Sequence, residues 1–281
     1  MERLCEEELA EPVLLGDIGE IEASAAKYGV DLAGIELIDP KLSEKREFYC
    51  KELVNLRGRK GVTERDATRL IHRRSYFGVM MVRMGDAHGL VAGLTKSYPE
   101  AVRPGLEVVG LSESHRRAAG IYMVIQAERV LFFCDGSVNI HPTAEQLADI
   151  AGLGASAAKW LGFDPVVAMI SFSNFGSSRS TESDRVAEAV QIARTRWPDL
   201  EIDGEMQADM ALNPSTRADR FPFSSIEGEA NVLVFPSLES GNIGYKIAQR
   251  FSGARALGPV LFRISYLKHV SVANTISCQF C

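Results

Sequence analysis

The sequence predicts an α/β fold with mostly parallel sheets, and three observations carry that prediction. Short β-branched or aliphatic runs alternate along the chain with stretches of helical spacing. Most of those runs are continuously apolar, as expected for strands covered on both faces by helices. At 281 residues, 46% hydrophobic and 24% charged, the chain is long enough for one large core or two modest ones.

The elements follow in order. Strands are expected at PVLLG (12–16), GIELID (34–39) and HGLVAG (88–93). Between the last two, residues 64–84 read as one helix that places Ala67, Leu70, Ile71, Phe77, Met80, Met81 and Met84 near one face, with the methionines as core filling. IYMVIQ (121–126) and VLFFCD (130–135) are the next strands. His141-Pro142 breaks the segment after them, and Thr143 with Gln146 forms a capping-box pattern that opens a helix. Gly152 and Gly154 lie inside that helix and do not match a dinucleotide loop. VVAMIS (166–171), LEIDGE (200–205) and NVLVFP (231–236) complete the strands, and RSTESDRVAEAVQIA (179–193) has helical spacing. The break near residue 142 sets the expected division: a first α/β domain of residues 1–142 plus 263–281, and a second of residues 143–262.

Composition excludes several classes of function. A net charge of -6 argues against a nucleic-acid surface, because a backbone binder clusters Lys and Arg to displace counterions from phosphates. Arg57-Gly58-Arg59-Lys60 and His72-Arg73-Arg74 are short and read as solvated helix faces. No apolar run approaches the roughly 18 residues of a membrane span, and the opening MERLCEEELAEP is acidic where a signal peptide is basic and then apolar, so a cytoplasmic location is expected. Cys5, Cys50, Cys134, Cys278 and Cys281 lack framework spacing, which fits reduced thiols, and Cys278-x-x-Cys281 is a lone pair read as incidental. G-x-G-x-x-G after a strand, G-x-x-x-x-G-K, G-x-S-x-G and paired histidines at triad or metal-ligand spacing are all missing, so neither a nucleotide cofactor nor serine-hydrolase chemistry is expected, and without a second cluster beside the carboxylates of DGEMQAD a metal is not the expected reading.

Three segments carry candidate chemistry. SFSNFGSS (171–178) follows an apolar strand and precedes a helix, the position where open α/β sheets receive ligands. Gly176 takes backbone angles closed to other residues, and Ser173, Asn174, Ser177 and Ser178 offer polar donors beside a helix N-terminus, as an anion cradle or as a polar loop that caps the helix. DGEMQAD places Asp203, Glu205 and Asp209 after another strand, as a base or divalent-metal set or as capping and surface groups. Arg103, before a proline in TKSYPEAVRPGLE, either grips a phosphate with two parallel hydrogen bonds or makes a surface ion pair.

In order and over almost the whole chain, the sequence resembles the phosphate acetyltransferase and butyryltransferase family. The resembling stretches are KGVTERDA, YFGVMMVRMGDAHGLVAG, VRPGLEVVG, CDGSVNIHPTAEQLADIA, AMISFSNFGSS, PDLEIDGEMQADMAL, EANVLVFPSLESGNIGYKIAQR and ALGPVL. The forms SFSNFGSS, DGEMQAD and GLTKSYPEAVRPGLE most resemble the acetyltransferase-like C-terminal domain of bacterial NADP-dependent malic enzymes. The resemblance implies two α/β/α domains with a cleft between them, the phosphotransacetylase and isocitrate-dehydrogenase-like architecture. It implies acyl transfer between coenzyme A and phosphate, with Ser173, Ser177 and Arg103 as catalytic candidates. Asn139, Asn174, Phe175, Gly176, Ser178, Asp203, Glu205, Gln207, Asp209, Asn242 and Lys246 are the substrate-binding candidates it implies.

Acetyl-CoA, phosphate or acetyl phosphate are the implied partners, with no tightly bound cofactor and a homo-oligomer, dimer or larger. Family members carry a Ser-Arg pair followed by a proposed aspartate base near the C-terminus. The tail here, RISYLKHVSVANTISCQFC, has no such segment, and the first domain is expected to be clipped at both ends. Two functions are therefore expected: a phosphate acetyltransferase, or an acetyl-CoA-sensing, oligomerising domain of a malic enzyme.

Overall fold

Each apolar run becomes a strand in the computed structural model, which describes residues 4–5, 7–92, 98–108, 118–127, 129–262 and 269–272. The chain divides into two compact units, Met1–Leu90 with Pro99–Gly110, and Val91–Tyr98 with Leu111–Cys281.

In the first unit, β1 (Val13–Leu15) and β2 (Glu36–Ile38) pair in parallel around α1 (Ile18–Tyr28). Helix α2 (Arg46–Arg57) buries Tyr49 and Leu53, and α3 (Glu64–Ile71) opens on a capping box between Thr63 and Asp66. The helix expected over 64–84 is two helices. Arg73 adopts extended angles, φ -85 and ψ 125, and starts α4 (Arg74–Met84), which is buried from Ser75 to Val82. A helix apolar on all sides has no single face for a periodicity argument to find. Leu15 and Leu90 reach α4 where Gly78 has no side chain; a Cβ there would lie 2.9 Å and 2.8 Å from their methyl groups. Strand β3 (Gly89–Ala92) and α5 (Tyr98–Val108) lie on either side of residues 93–97, which fall outside the described residues.

The second unit is a layered α/β/α body. Its strands run in the order β10 (His269–Val272), β9 (Arg255–Phe262), β4 (Ala119–Gln126), β5 (Arg129–Cys134), β8 (Val232–Val234), β6 (Val166–Ile170), β7 (Glu201–Met206). The pairs β5–β8, β8–β6 and β6–β7 are parallel, whereas β4, β9 and β10 join antiparallel. Helices α6 (Ala144–Trp160) and α7 (Thr181–Arg196) cover one face over Ile121, Phe132, Val167, Met169, Ile202 and Val232. On the other face Tyr245 of α9 (Leu238–Ser252) and Met210 of α8 (Ala208–Ala211) pack on Tyr122, Phe133, Ile170 and Leu233.

The capping box of Thr143 and Gln146 forms as the sequence indicates. The division expected at residue 142 does not coincide with the compact units. A cut there would separate β4 and β5 from β9 and β8, with which they pair. His141-Pro142 marks a local break, and strand pairing is not local. Residues 269–272, assigned with the first domain from sequence, pair with β9 in the second unit.

Candidate functional site at the serine loop

Strands β5, β8, β6 and β7 run in parallel, so the residues that follow them meet at one edge of the sheet. That edge is where open α/β sheets place ligands. Residues 171–180 leave β6 there and end on Ser180, whose hydroxyl accepts the backbone N–H groups of Glu182 and Ser183 and so caps α7.

Within the loop a buried carboxylate organises the turn. Glu205, at the end of β7, accepts the Ser173 hydroxyl at 2.8 Å and the Gly176 N–H at 2.7 Å, both on Oε1. Its backbone carbonyl accepts the Phe175 N–H at 2.8 Å. Asn174 and Gln207 bind each other twice: Asn174 Nδ2 donates to Gln207 Oε1 and the Gln207 N–H donates to Asn174 Oδ1, each at 2.8 Å. Phe175 (φ 48) and Gly176 (φ 83) are both left-handed. Glycine adopts that conformation without penalty, but phenylalanine does so only when its surroundings hold it. Phe221 and Phe223 pack on the Phe175 ring at 5.0 and 5.1 Å.

All six backbone N–H groups from Ser173 to Ser178 are engaged within the molecule. They donate in turn to Ser171 Oγ, Ser177 Oγ, the Glu205 carbonyl, Glu205 Oε1, the Asn174 carbonyl and Ser173 Oγ. Backbone N–H groups are therefore taken up by the loop and Glu205, and the side-chain hydroxyls are what remains of the donors expected here. Ser173 is 0% exposed, so it cannot contact a substrate directly. Ser177 and Ser178 are exposed.

The other candidates separate from this cluster. Asp203 is buried and bound to Arg194 Nη2 at 2.5 Å, to Ser224 Oγ at 2.9 Å and to the Ser225 N–H at 2.7 Å, so it ties β7 to α7 and to the turn that carries Phe223. Asp209 is exposed on α8. Among the described residues no group of three His, Cys, Asp or Glu side chains is placed to hold a metal. Arg103 lies on α5 with its side chain 76% exposed and paired to Glu107 at 2.9 Å. The Glu107 carboxylate also accepts the Tyr76 hydroxyl at 2.5 Å. Burial, reinforced by that carboxylate, pushes Tyr76 up to about 12.

Beyond the ends of β5 and β8, Asn139 meets a residue that sequence reasoning missed, and Asn242 meets the glycine that follows it. Asp135 is buried and accepts the N–H groups of Gly120, Ser137, Val138 and Asn139 together with Asn139 Nδ2. Burial pushes its carboxyl up, and the donors of Ser137, Asn139 and Val138 pull it back. Asn242 donates to the Gly136 carbonyl at 3.0 Å and accepts from Lys246 Nζ at 2.8 Å. The available signal was an acid directly after the apolar run VLFFC, the same placement that singles out Asp203 and Glu205.

The family described as phosphate acetyl/butaryl transferase matches residues 1–266. A phosphate acetyltransferase of Bacillus subtilis is 40% identical over 259 residues, covering 92% of this chain and 80% of that protein. Among solved structures, a phosphotransacetylase from Streptococcus pyogenes superposes with a TM-score of 0.87 at 38% identity, covering 96% of this chain and 82% of that one. The EutD phosphotransacetylase from Staphylococcus aureus gives 0.84 at 39% identity, over 93% and 79%.

Proposed function

The chain belongs to the phosphate acetyl/butaryl transferase family, and from that premise we propose that it transfers an acetyl group between coenzyme A and phosphate: acetyl-CoA plus phosphate gives acetyl phosphate plus CoA. The observation that carries the reading is likeness along the whole body of the chain, 40% identity over 259 residues to a protein named for that reaction. The placement of Ser177 and Ser178 at the carboxyl edge of a parallel sheet supports it.

The chemistry asks for three things. The phosphoryl group needs a cation, and Arg103 is assigned to it. The carbonyl oxygen gains charge as the tetrahedral intermediate forms and needs positioned donors, for which the Ser178 hydroxyl is available. In the direction that consumes acetyl phosphate, the CoA thiol has an ordinary pKa near 8.5 and needs a proton acceptor at neutral pH. Acetyl-CoA and phosphate are substrates in this reading, no tightly bound cofactor takes part, and the protein works as a homo-oligomer in the cytoplasm.

Phosphate-dependent release of CoA from acetyl-CoA by the purified protein tests the proposal. Turnover that vanishes without phosphate and after heating is expected, whereas turnover no faster than the heated control rejects it. A second reading, an acetyl-CoA-sensing module, rests on the sequence resemblance of SFSNFGSS and DGEMQAD to malic-enzyme domains alone. Calorimetric binding of acetyl-CoA without any turnover would select it.

A further inference from the structure

Two hydroxyls join the protein surface to the buried carboxylate. Ser173 has one proton, and it points to Glu205 Oε1 at 2.8 Å. Its oxygen also accepts the Ser178 N–H at 3.1 Å. In the remaining contact, Ser173 Oγ to Ser177 Oγ at 3.5 Å, a long separation for two hydroxyls, only Ser177 has a proton to give. Ser177 Oγ accepts the Asn174 N–H at 2.9 Å, which leaves one lone pair on an exposed side chain. An ionised carboxylate only accepts hydrogen bonds, so Glu205 fixes the polarity of the whole chain. While it is ionised, Ser177 offers the solvent an acceptor.

We propose that Glu205, Ser173 and Ser177 form a proton relay in which Ser177 contacts the thiol of coenzyme A and Glu205 receives the proton. The assignment rests on the acetyl-transfer reading above. The thiol proton passes to Ser177 Oγ, the former Ser177 proton to Ser173 Oγ, and the former Ser173 proton to Glu205 Oε1. The sulfur electron pair forms the new bond to the acetyl carbon. The bond from that carbon to the phosphate oxygen breaks, and phosphate leaves with the bonding pair. The transfer reverses the chain, so Ser177 now donates outward, and the proton returns along the same hydroxyls to the departing phosphate. Glu205 Oε1 keeps the Gly176 N–H throughout, so the loop need not move. Ser173, buried and unable to touch substrate, gains a role as the middle of the relay.

E205Q separates this role from a structural one, because an amide oxygen still accepts from Ser173 and Gly176 but takes no proton. In thioester formation from acetyl phosphate and CoA at pH 7, its kcat should fall by about 100-fold or more while KM for CoA stays within about threefold. The melting temperature should stay near that of the wild type. The residual rate should climb about tenfold per pH unit toward the ordinary thiol pKa, because thiolate formed in solution replaces the relay. S177A, altering an exposed hydroxyl, should behave alike and decides the matter if E205Q does not fold. Either folded variant retaining kcat within about threefold of wild type overturns the relay, as does a lowered rate that does not climb with pH. A wild-type protein without turnover overturns the acetyl-transfer reading and the relay with it; wild-type turnover with kcat kept within about threefold in a folded variant overturns the relay alone.

Discussion

Asp203 and Glu205 stand two residues apart on β7, yet each holds a different neighbour. Glu205 gathers the serine loop, and Asp203 gathers Arg194, Ser224 and Ser225. Removing one partner of a buried ion pair costs about 3–5 kcal/mol, and exposure of the Arg194 side chain lowers the expectation for D203A to about 2 kcal/mol. Urea unfolding should show the midpoint falling accordingly, and an unchanged midpoint would refute the tie. Tyr76 gives a second expectation. Its folded-state pKa is raised above the ordinary value, so the stability it contributes is present below pH 10 and is lost as pH rises through about 12. Alkaline titration of phenolate absorbance should show a late component that Y76F diminishes, the rest belonging to Tyr49, which burial and Asp86 also push up. At this scale the sequence was informative about residue types and silent about direction. It marked Ser173, Ser177 and Glu205 as candidates, but not that Ser173 faces inward or that a carboxylate 32 residues away sets the loop's polarity.

Helix α6 is where packing and propensity disagree. Alanine is favoured over glycine in a helix interior by about 1 kcal/mol. At Gly154, however, an added Cβ would lie 2.8 Å from Cys134 Sγ and 2.8 Å from Val232 Cγ1, both buried beneath the helix. Overpacking of that kind costs about 1–3 kcal/mol, so G154A should lower the melting temperature in calorimetry despite the better helix former. A higher melting temperature would show that α6 does not press on the sheet at this point. The apolar strands and the box at Thr143 were legible because their signals are local. Strand β9 was not, because Gly258 and Pro259 interrupt ARALGPVLF and a proline usually argues against a strand interior. The split at Arg73 was hidden by the all-round burial of α4.

For the molecule as a whole, one sheet edge collects the ends of β5, β8, β6 and β7, and with them the residues that sequence alone could only scatter. Asn139 and Asn242 gather about Asp135 and Gly136, while Asn174, Gln207 and the serines gather about Glu205. The domain division was less legible than the strands, since the pairing of β4 with β9 spans more than a hundred residues of chain. The claim on which the functional account stands is that the serine loop meets the reacting atoms. A crystal structure of the protein grown with coenzyme A and phosphate measures that directly. The account predicts the CoA sulfur within hydrogen-bonding reach of Ser177 Oγ; a sulfur bound elsewhere, with the serine loop facing only water, would contradict it.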